Sequence, residues 1–81
     1  MTMETLQKEH IAVGRKQTVK AVKGGRASRV FLASDADSFI REEILELCTK
    51  AGVPVDESQD MATLGRACGI EVQAATVAVT E

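Results

Sequence analysis

The sequence predicts an α/β protein: a three-layer α/β/α sandwich with a four-stranded mixed sheet. Three observations lead there. Helical and extended periodicities alternate along the chain with no low-complexity linker or internal repeat. The apolar run Val30-Phe31-Leu32-Ala33 reads as a central strand covered on both faces. The breaks between segments fall on glycines, at Gly14, Gly24-Gly25, Gly52 and Gly69. At 81 residues there is room for one domain, residues 1–81, with a single core. A chain of this size removes roughly 60% of its unfolded surface from water, so its stability is marginal by size alone.

Residues 3–10 suggest a short polar helix. Ile11-Ala12-Val13 suggests a strand that ends at Gly14. A helix over residues 17–23 puts Val19 and Val22 on one face, and Gly24-Gly25 stops it by offering positive φ at little steric cost. Residues 29–33 form the next strand. Asp35-Ala36-Asp37-Ser38 leads into a helix over residues 39–51, with Ile40, Ile44, Leu45, Leu47 and Cys48 at helical spacing, and Gly52 terminates it. Val53-Pro54-Val55 opens a short strand, in which Pro54, lacking a ladder donor, favours the strand start or a sheet edge. Asp60 can cap a helix carrying Met61, Leu64 and Ala67 inward and closing at Gly69. Residues 74–80 are the last strand, with Val77 and Val79 alternating with small residues.

Composition excludes several function classes. Only Phe31 and Phe39 are aromatic, so a single-strand binder that stacks bases on aromatic platforms is disfavoured. No apolar run approaches the ~20 residues of a membrane span. The first ten residues are charged, unlike a secretory signal. These features point to a cytoplasmic protein with no membrane partner, expected to be a monomer. Cys48 and Cys68 lie 20 residues apart without a CxxC pair, and His10 is the one histidine, so neither a zinc site nor a disulfide framework is indicated. Both thiols read as free and buried, and His10 as solvent-facing.

The charge distribution is more informative than the net charge of −2. Residues 11–34 hold six of the ten basic residues, Arg15, Lys16, Lys20, Lys23, Arg26 and Arg29, and none of the twelve acidic ones. One face of an acidic protein is therefore positive, and a polyanion can find it. Within that region Gly14-Arg15-Lys16-Gln17-Thr18-Val19-Lys20 opens a helix. Its ordinary reading is a surface helix after a tight turn. Against that stands the combination of free N–H groups at a helix start with cations and an amide. Lys16 and Gln17 can read guanine or adenine edges, while Arg15, Lys20 and Lys23 hold phosphates. A helix tip can do this where the narrow A-form major groove excludes a whole helix, provided that the RNA is distorted there.

Asp35 and Asp37 are the most tempting catalytic or metal-binding pair, since they follow a central strand. No histidine or third acid at ligand spacing supports them, and a capping role for Asp37 or Ser38 is the better reading. Glu42, Glu43 and Glu46 read as a solvated helix face. No Ser/His/Asp or Cys/His constellation can be assembled, so the chain is not expected to be an enzyme. A second segment, Gly69-Ile70-Glu71-Val72-Gln73-Ala74-Ala75, places two apolar residues where a polar loop is expected. Ile70 and Val72 either tuck into the core or, if exposed, offer an apolar platform to an unstacked nucleotide. The small Ala74 and Ala75 let the backbone approach sugar edges.

Taken together, these residues resemble the kink-turn-binding ribosomal protein family of the L-seven-Ae type, and especially its short bacterial relatives. The resemblance covers about residues 12–80. It is carried by Gly14-x-Lys16-Gln17-Thr18-Val19-Lys20, by Asp35-Ala36-Asp37, and by Leu64-Gly65-Arg66-Ala67-Cys68-Gly69-Ile70-Glu71-Val72 followed by Ala74-Ala75. It implies that Lys16 and Gln17 contact tandem sheared G·A pairs through the widened groove of the kink. Gly14 would let the backbone approach the RNA, Lys20 would hold phosphate, and Ile70, Glu71 and Val72 would receive the flipped-out nucleotide of the bulge. The family needs no cofactor. Lys16-Gln17 stands where archaeal and eukaryotic members typically have Asn-Glu, which matches the bacterial branch. Arg15 replaces a residue that is often small and hydroxylated, Ser38 a common proline, and Ala62-Thr63 lysines frequent in bacterial relatives.

The expected function is therefore non-catalytic binding and stabilisation of kink-turn RNA, as a ribosome-associated bacterial protein or on another structured RNA, with ribosomal RNA as one candidate partner. The expected RNA-binding residues are Gly14, Arg15, Lys16, Gln17, Lys20, Lys23, Ile70, Glu71, Val72, Gln73 and Ala74. No metal or cofactor is expected. The alternative is a protein-interaction module whose basic face attracts RNA only nonspecifically. A metal-dependent enzyme built on Asp35 and Asp37 is a third, weaker reading.

Overall fold

The computed structural model describes residues 10–67 and 74–80. Its elements are β1 (Ile11–Val13), α1 (Arg15–Lys23), β2 (Ala27–Leu32), α2 (Ser38–Ala51), β3 (Val55–Asp56), α3 (Met61–Ala67) and β4 (Thr76–Thr80). The sheet order is β1-β4-β2-β3, with β4 antiparallel to both neighbours and β3 parallel to β2. β1, β2 and β3 therefore all run one way and β4 the other. The β1–α1, β2–α2 and β3–α3 turns and the start of β4 consequently gather at one end of the sheet.

Strand alternation divides the core in two. On one face Val30, Leu32 and Ala78 pack with Ala21 and Val22 of α1 and with Ile44 and Cys48 of α2. On the other, Phe31, Ala33 and Val77 pack with Leu64 of α3 and with Ala74. Helices thus cover both faces, and the expected three-layer sandwich with a four-stranded mixed sheet is the observed architecture. Within β2 a register shift between Ala27 and Arg29 leaves Ser28 as an extra residue. The Ser28 hydroxyl donates to the Val79 carbonyl at 3.2 Å. No helix among the described residues is long and apolar enough to cross a membrane.

From Ile11 onward, element existence and order match the sequence reading within the described residues, and the ends differ for identifiable reasons. α1 starts two residues earlier than expected, because Gly14 turns the chain at φ +99° and its carbonyl accepts from Thr18 N–H at 2.9 Å. That conformation is open to glycine almost alone. Positive φ after α1 falls at Gly25, whereas Gly24 sits at φ −81°. β2 spans residues 27–32 rather than 29–33, and β4 starts at Thr76 rather than at Ala74, whose N–H donates to the Met61 carbonyl. β3 is only Val55–Asp56, and Pro54 precedes it on the edge strand, where its carbonyl accepts from Val30 N–H at 2.9 Å. At Gly52 the left-handed residue ends α2, with Val53 N–H returning to the Cys48 carbonyl and Gly52 N–H to that of Thr49. Of the short helix expected over residues 3–10, only His10 is described, and it is exposed. Cys48 is buried, and burial pushes its thiol pKa up, so it is an inert core residue. Cys68 and Gly69 lie outside the described residues.

Two measurements test this packing. Ile44, fully buried between α2 and the sheet, should cost about 2–5 kcal/mol when cut to alanine. In a domain of this size that is a large part of the total, and a urea unfolding curve should show it as a lowered midpoint. The second concerns acid. Asp56 is held below the usual carboxylate range chiefly by the Ser58 hydroxyl and amide, and Asp60 by Thr63 in the same way. A carboxyl whose native pKa is depressed stabilises the fold above its unfolded pKa and ceases to do so as pH falls through the native value. The melting temperature should therefore hold down to about pH 5 and drop below about pH 4. Asp60→Asn should flatten part of that drop.

Candidate nucleic-acid interface

The tip of α1 is built by Gly14. Its N–H donates to the Thr76 carbonyl at 2.9 Å, tying the end of β1 to the start of β4. A Cβ placed on Gly14 would meet nothing within 4 Å, so glycine is required there by φ rather than by space. The backbone at this turn is open to an approaching molecule. Arg15, Lys16, Gln17, Lys20 and Lys23 of α1 are all exposed. Lys16, Lys20 and Lys23 recur at helical spacing on one side of the helix. Thr18 faces inward, fully buried, and its hydroxyl has no hydrogen-bond partner among the described residues.

The three helix starts differ in a way that bears on function. At α2, Asp37 Oδ1 accepts from Phe39 N–H at 2.8 Å. At α3, Asp60 Oδ1 accepts from Thr63 N–H and Asp35 Oδ1 from Met61 N–H, both at 2.8 Å. α1 has no capping side chain and no acid in its first turn. It begins instead with Arg15 and Lys16, cations at the positive end of the helix dipole, which is the unfavourable end for them. Such an arrangement suits an external anion. Asp35 and Asp37, the tempting pair, are thus helix caps, and no group of three or more His, Cys, Asp or Glu able to hold a metal occurs among the described residues.

Arg15 is not free. Its Nε and Nη2 donate to the two carboxylate oxygens of Glu43 on α2, at 2.5 and 2.8 Å. The hydrogen bond and the adjoining guanidinium charge hold Glu43 below the usual carboxylate range, and the same bond with the Glu43 carboxylate charge raises the pKa of Arg15. The acidic face expected for α2 is solvated at Glu42 and at Glu46, which pairs with Lys50 at 3.3 Å, while Glu43 is partly covered and bridges to α1. Both partners of the bridge remain partly wet, so its net stabilisation is small, but its two-pronged geometry fixes where the Arg15 side chain lies. By contrast, Lys16, Lys20 and Lys23 have no ion-pair partner within 4 Å among the described residues.

Ile70, Glu71, Val72 and Gln73 lie outside the described residues. Their downstream anchor does not. Ala74 is buried, with its N–H on the Met61 carbonyl, and Ala33 N–H donates to the Ala75 carbonyl at 2.8 Å. Thr76 holds Gly14 from the same strand end. The Ala74 side chain therefore belongs to the core, and what this position can show a ligand is backbone. Residues 74–76 are thus held by α3, β2 and the end of β1. Sequence reasoning missed the exposure of Phe39, which at 72% stands out in water from the first turn of α2; an aromatic surface is thus present after all. It also missed the Arg15–Glu43 bridge, for which no local pattern gives a signal.

Comparison with known proteins adds the family. The model described as "Ribosomal protein L7Ae/L30e/S12e/Gadd45 family" matches residues 2–81. A protein of Geobacillus sp. (strain WCH70) named as an RNA-binding protein is 45% identical over 76 residues, covering 94% of this chain and 93% of its own. RNA-binding protein YbxF of Geobacillus stearothermophilus is 43% identical over the same shares. Among solved structures, a Giardia lamblia 15.5kD RNA binding protein superposes with a TM-score of 0.84 at 30% identity, over 90% of this chain and 62% of that one. A Bacillus halodurans protein described as of unknown function gives the same score and identity, over 90% and 73%. Family match, close relatives and superposition agree that the chain belongs to the ribosomal protein L7Ae/L30e/S12e/Gadd45 family.

Proposed function

We propose that this protein is a non-catalytic RNA-binding protein that recognises and stabilises kink-turn RNA, acting in the cytoplasm as a monomer on ribosomal or another structured RNA. The observation that carries the reading is the uncapped, cationic start of α1 in a fold whose other two helix starts are closed by aspartates. Its first-turn N–H groups and Lys20 grip phosphate, while Lys16 and Gln17 reach base edges at the sheared G·A pairs. The segment from Ile70 to Gln73 receives the flipped-out nucleotide. Family membership and relatives named as RNA-binding proteins support the RNA partner. Binding to a bend that the RNA already visits draws the population toward the bent form, so the protein works as a clamp without chemistry.

The test is a titration of the full chain against a kink-turn RNA and against the same RNA with its G·A pairs replaced by Watson–Crick pairs. The replacement should weaken binding by about tenfold or more, the loss of one good base contact. Equal affinity for the two RNAs refutes kink-turn recognition. Lys16→Ala and Gln17→Ala should each cost about 1–3 kcal/mol of binding and narrow the preference between the two RNAs.

Salt separates the phosphate contacts from the base contacts. Lys20→Ala should weaken binding to both RNAs alike and reduce the slope of log affinity against log salt by about one. Arg15→Ala should reduce it by less, because Glu43 already occupies two of its donors.

A further inference from the structure

The surface described so far lies on α1 and on the segment leading into β4, yet the largest apolar side chain left in water is on α2. Phe39 is 72% exposed, while the other aromatic residue, Phe31, is buried under α3. A single exposed apolar residue is ordinarily unremarked. The place of this one is not arbitrary. α1 and α2 follow parallel strands and so begin at the same end of the sheet. Arg15, the first residue of α1, is bound through both prongs of its guanidinium to Glu43. Phe39 precedes Glu43 by four residues, which puts it on the same side of α2 one turn nearer the shared end. The ring therefore stands beside the tip of α1, at or beyond the level of Gly14.

The ring is also firmly mounted. Phe39 N–H donates to Asp37 Oδ1 at 2.8 Å, and Arg41 N–H to the Asp37 carbonyl at 3.0 Å, which fix the first turn of α2. Two carboxylates close to it in sequence, Asp37 and Glu43, already accept hydrogen bonds, and the neighbouring α1 tip is cationic. A flat apolar surface beside a cationic tip, held by a rigid element, fits a nucleobase whose own phosphate lies over the cations.

We propose that Phe39 is an RNA contact: its ring stacks on an unpaired base of the RNA held at the α1 tip, extending the interface from α1 onto α2. The assignment rests on the RNA-binding reading above and adds a residue and a mode of contact to it. Stacking is indifferent to base identity, so Phe39 contributes affinity rather than sequence preference.

The sequence contains no tryptophan, so Phe39→Trp makes a single reporter on the full chain. Its fluorescence should be quenched as kink-turn RNA is added, with a midpoint matching that from anisotropy of a labelled RNA. Phe39→Ala and Phe39→Leu should each weaken kink-turn binding by about fivefold or more. Their melting temperatures should stay at the wild-type value, because the side chain is mostly in water. A Phe39→Ala variant within twofold of wild type, or a silent tryptophan while anisotropy reports binding, overturns the assignment and leaves kink-turn recognition standing. Leucine restoring full affinity also overturns it, since that marks a general apolar contact rather than stacking. Unchanged affinity together with self-association that Phe39→Ala abolishes would assign the ring to a contact between two copies. A wild-type chain that does not distinguish kink-turn from Watson–Crick RNA removes both readings at once.

Discussion

One backbone hydrogen bond, from Gly14 N–H to the Thr76 carbonyl, sets the geometry on which the proposed interface depends. β4 lies between β1 and β2 and antiparallel to both, so its first residue is next to the last residues of each. The positive φ of Gly14 then turns the chain directly out of β1 into α1 at that point. Any side chain at position 14 would meet open space but would have to adopt a backbone conformation that L-residues rarely tolerate. Ala33 and Met61 anchor residues 74–75 from the β2 and α3 sides. The start of α1 and the start of β4 are thereby brought together by backbone hydrogen bonds.

How the fold treats its acids follows from the same end of the sheet. Three aspartates sit among the loops there, and each is used by a backbone N–H of α2 or α3. Their negative charge is committed to helix starts rather than spread over the face. α1 breaks the local rule for helix starts, with basic residues where acids stabilise. Departures of this kind concentrate at functional sites, where stability is given up for binding. The buried hydroxyl of Thr18, one turn into the same helix and without a partner among the described residues, is a second local departure.

The sequence made legible what depends on periodicity and on special residues. Helical spacing located α2 and α3 to within a residue at their starts, and glycines marked the ends of α1 and α2, because those signals are local and strong. The cationic α1 tip was equally readable, since an acid-free run of 24 residues needs no tertiary information. The limits of β2, β3 and β4 were less so: they are decided by which partner strand is available, and β3 pairs only with β2 through Val55 and Asp56. The Arg15–Glu43 bridge spans 28 residues and depends on the rotation of one helix against another. The exposure of Phe39 was hidden for a related reason: an aromatic residue next to Ile40 looks like core until the face directed at the sheet is known to be that of Ile44 and Cys48.

The negative net charge of the chain works with its basic face rather than against it. Attraction between any cation cluster and any RNA is strong and indiscriminate. In this protein residues 11–34 hold six basic residues and no acid, and the rest of the chain holds four basic residues against twelve acidic ones. A polyanion approaching anywhere else meets repulsion, so encounter is oriented toward the basic face. The bridge to Glu43 sharpens this by holding Arg15, the cation nearest the tip, at one position instead of letting it sweep across passing phosphates. Lys16 and Lys20, with no ion-pair partner within 4 Å among the described residues, leave their charge to an approaching polyanion.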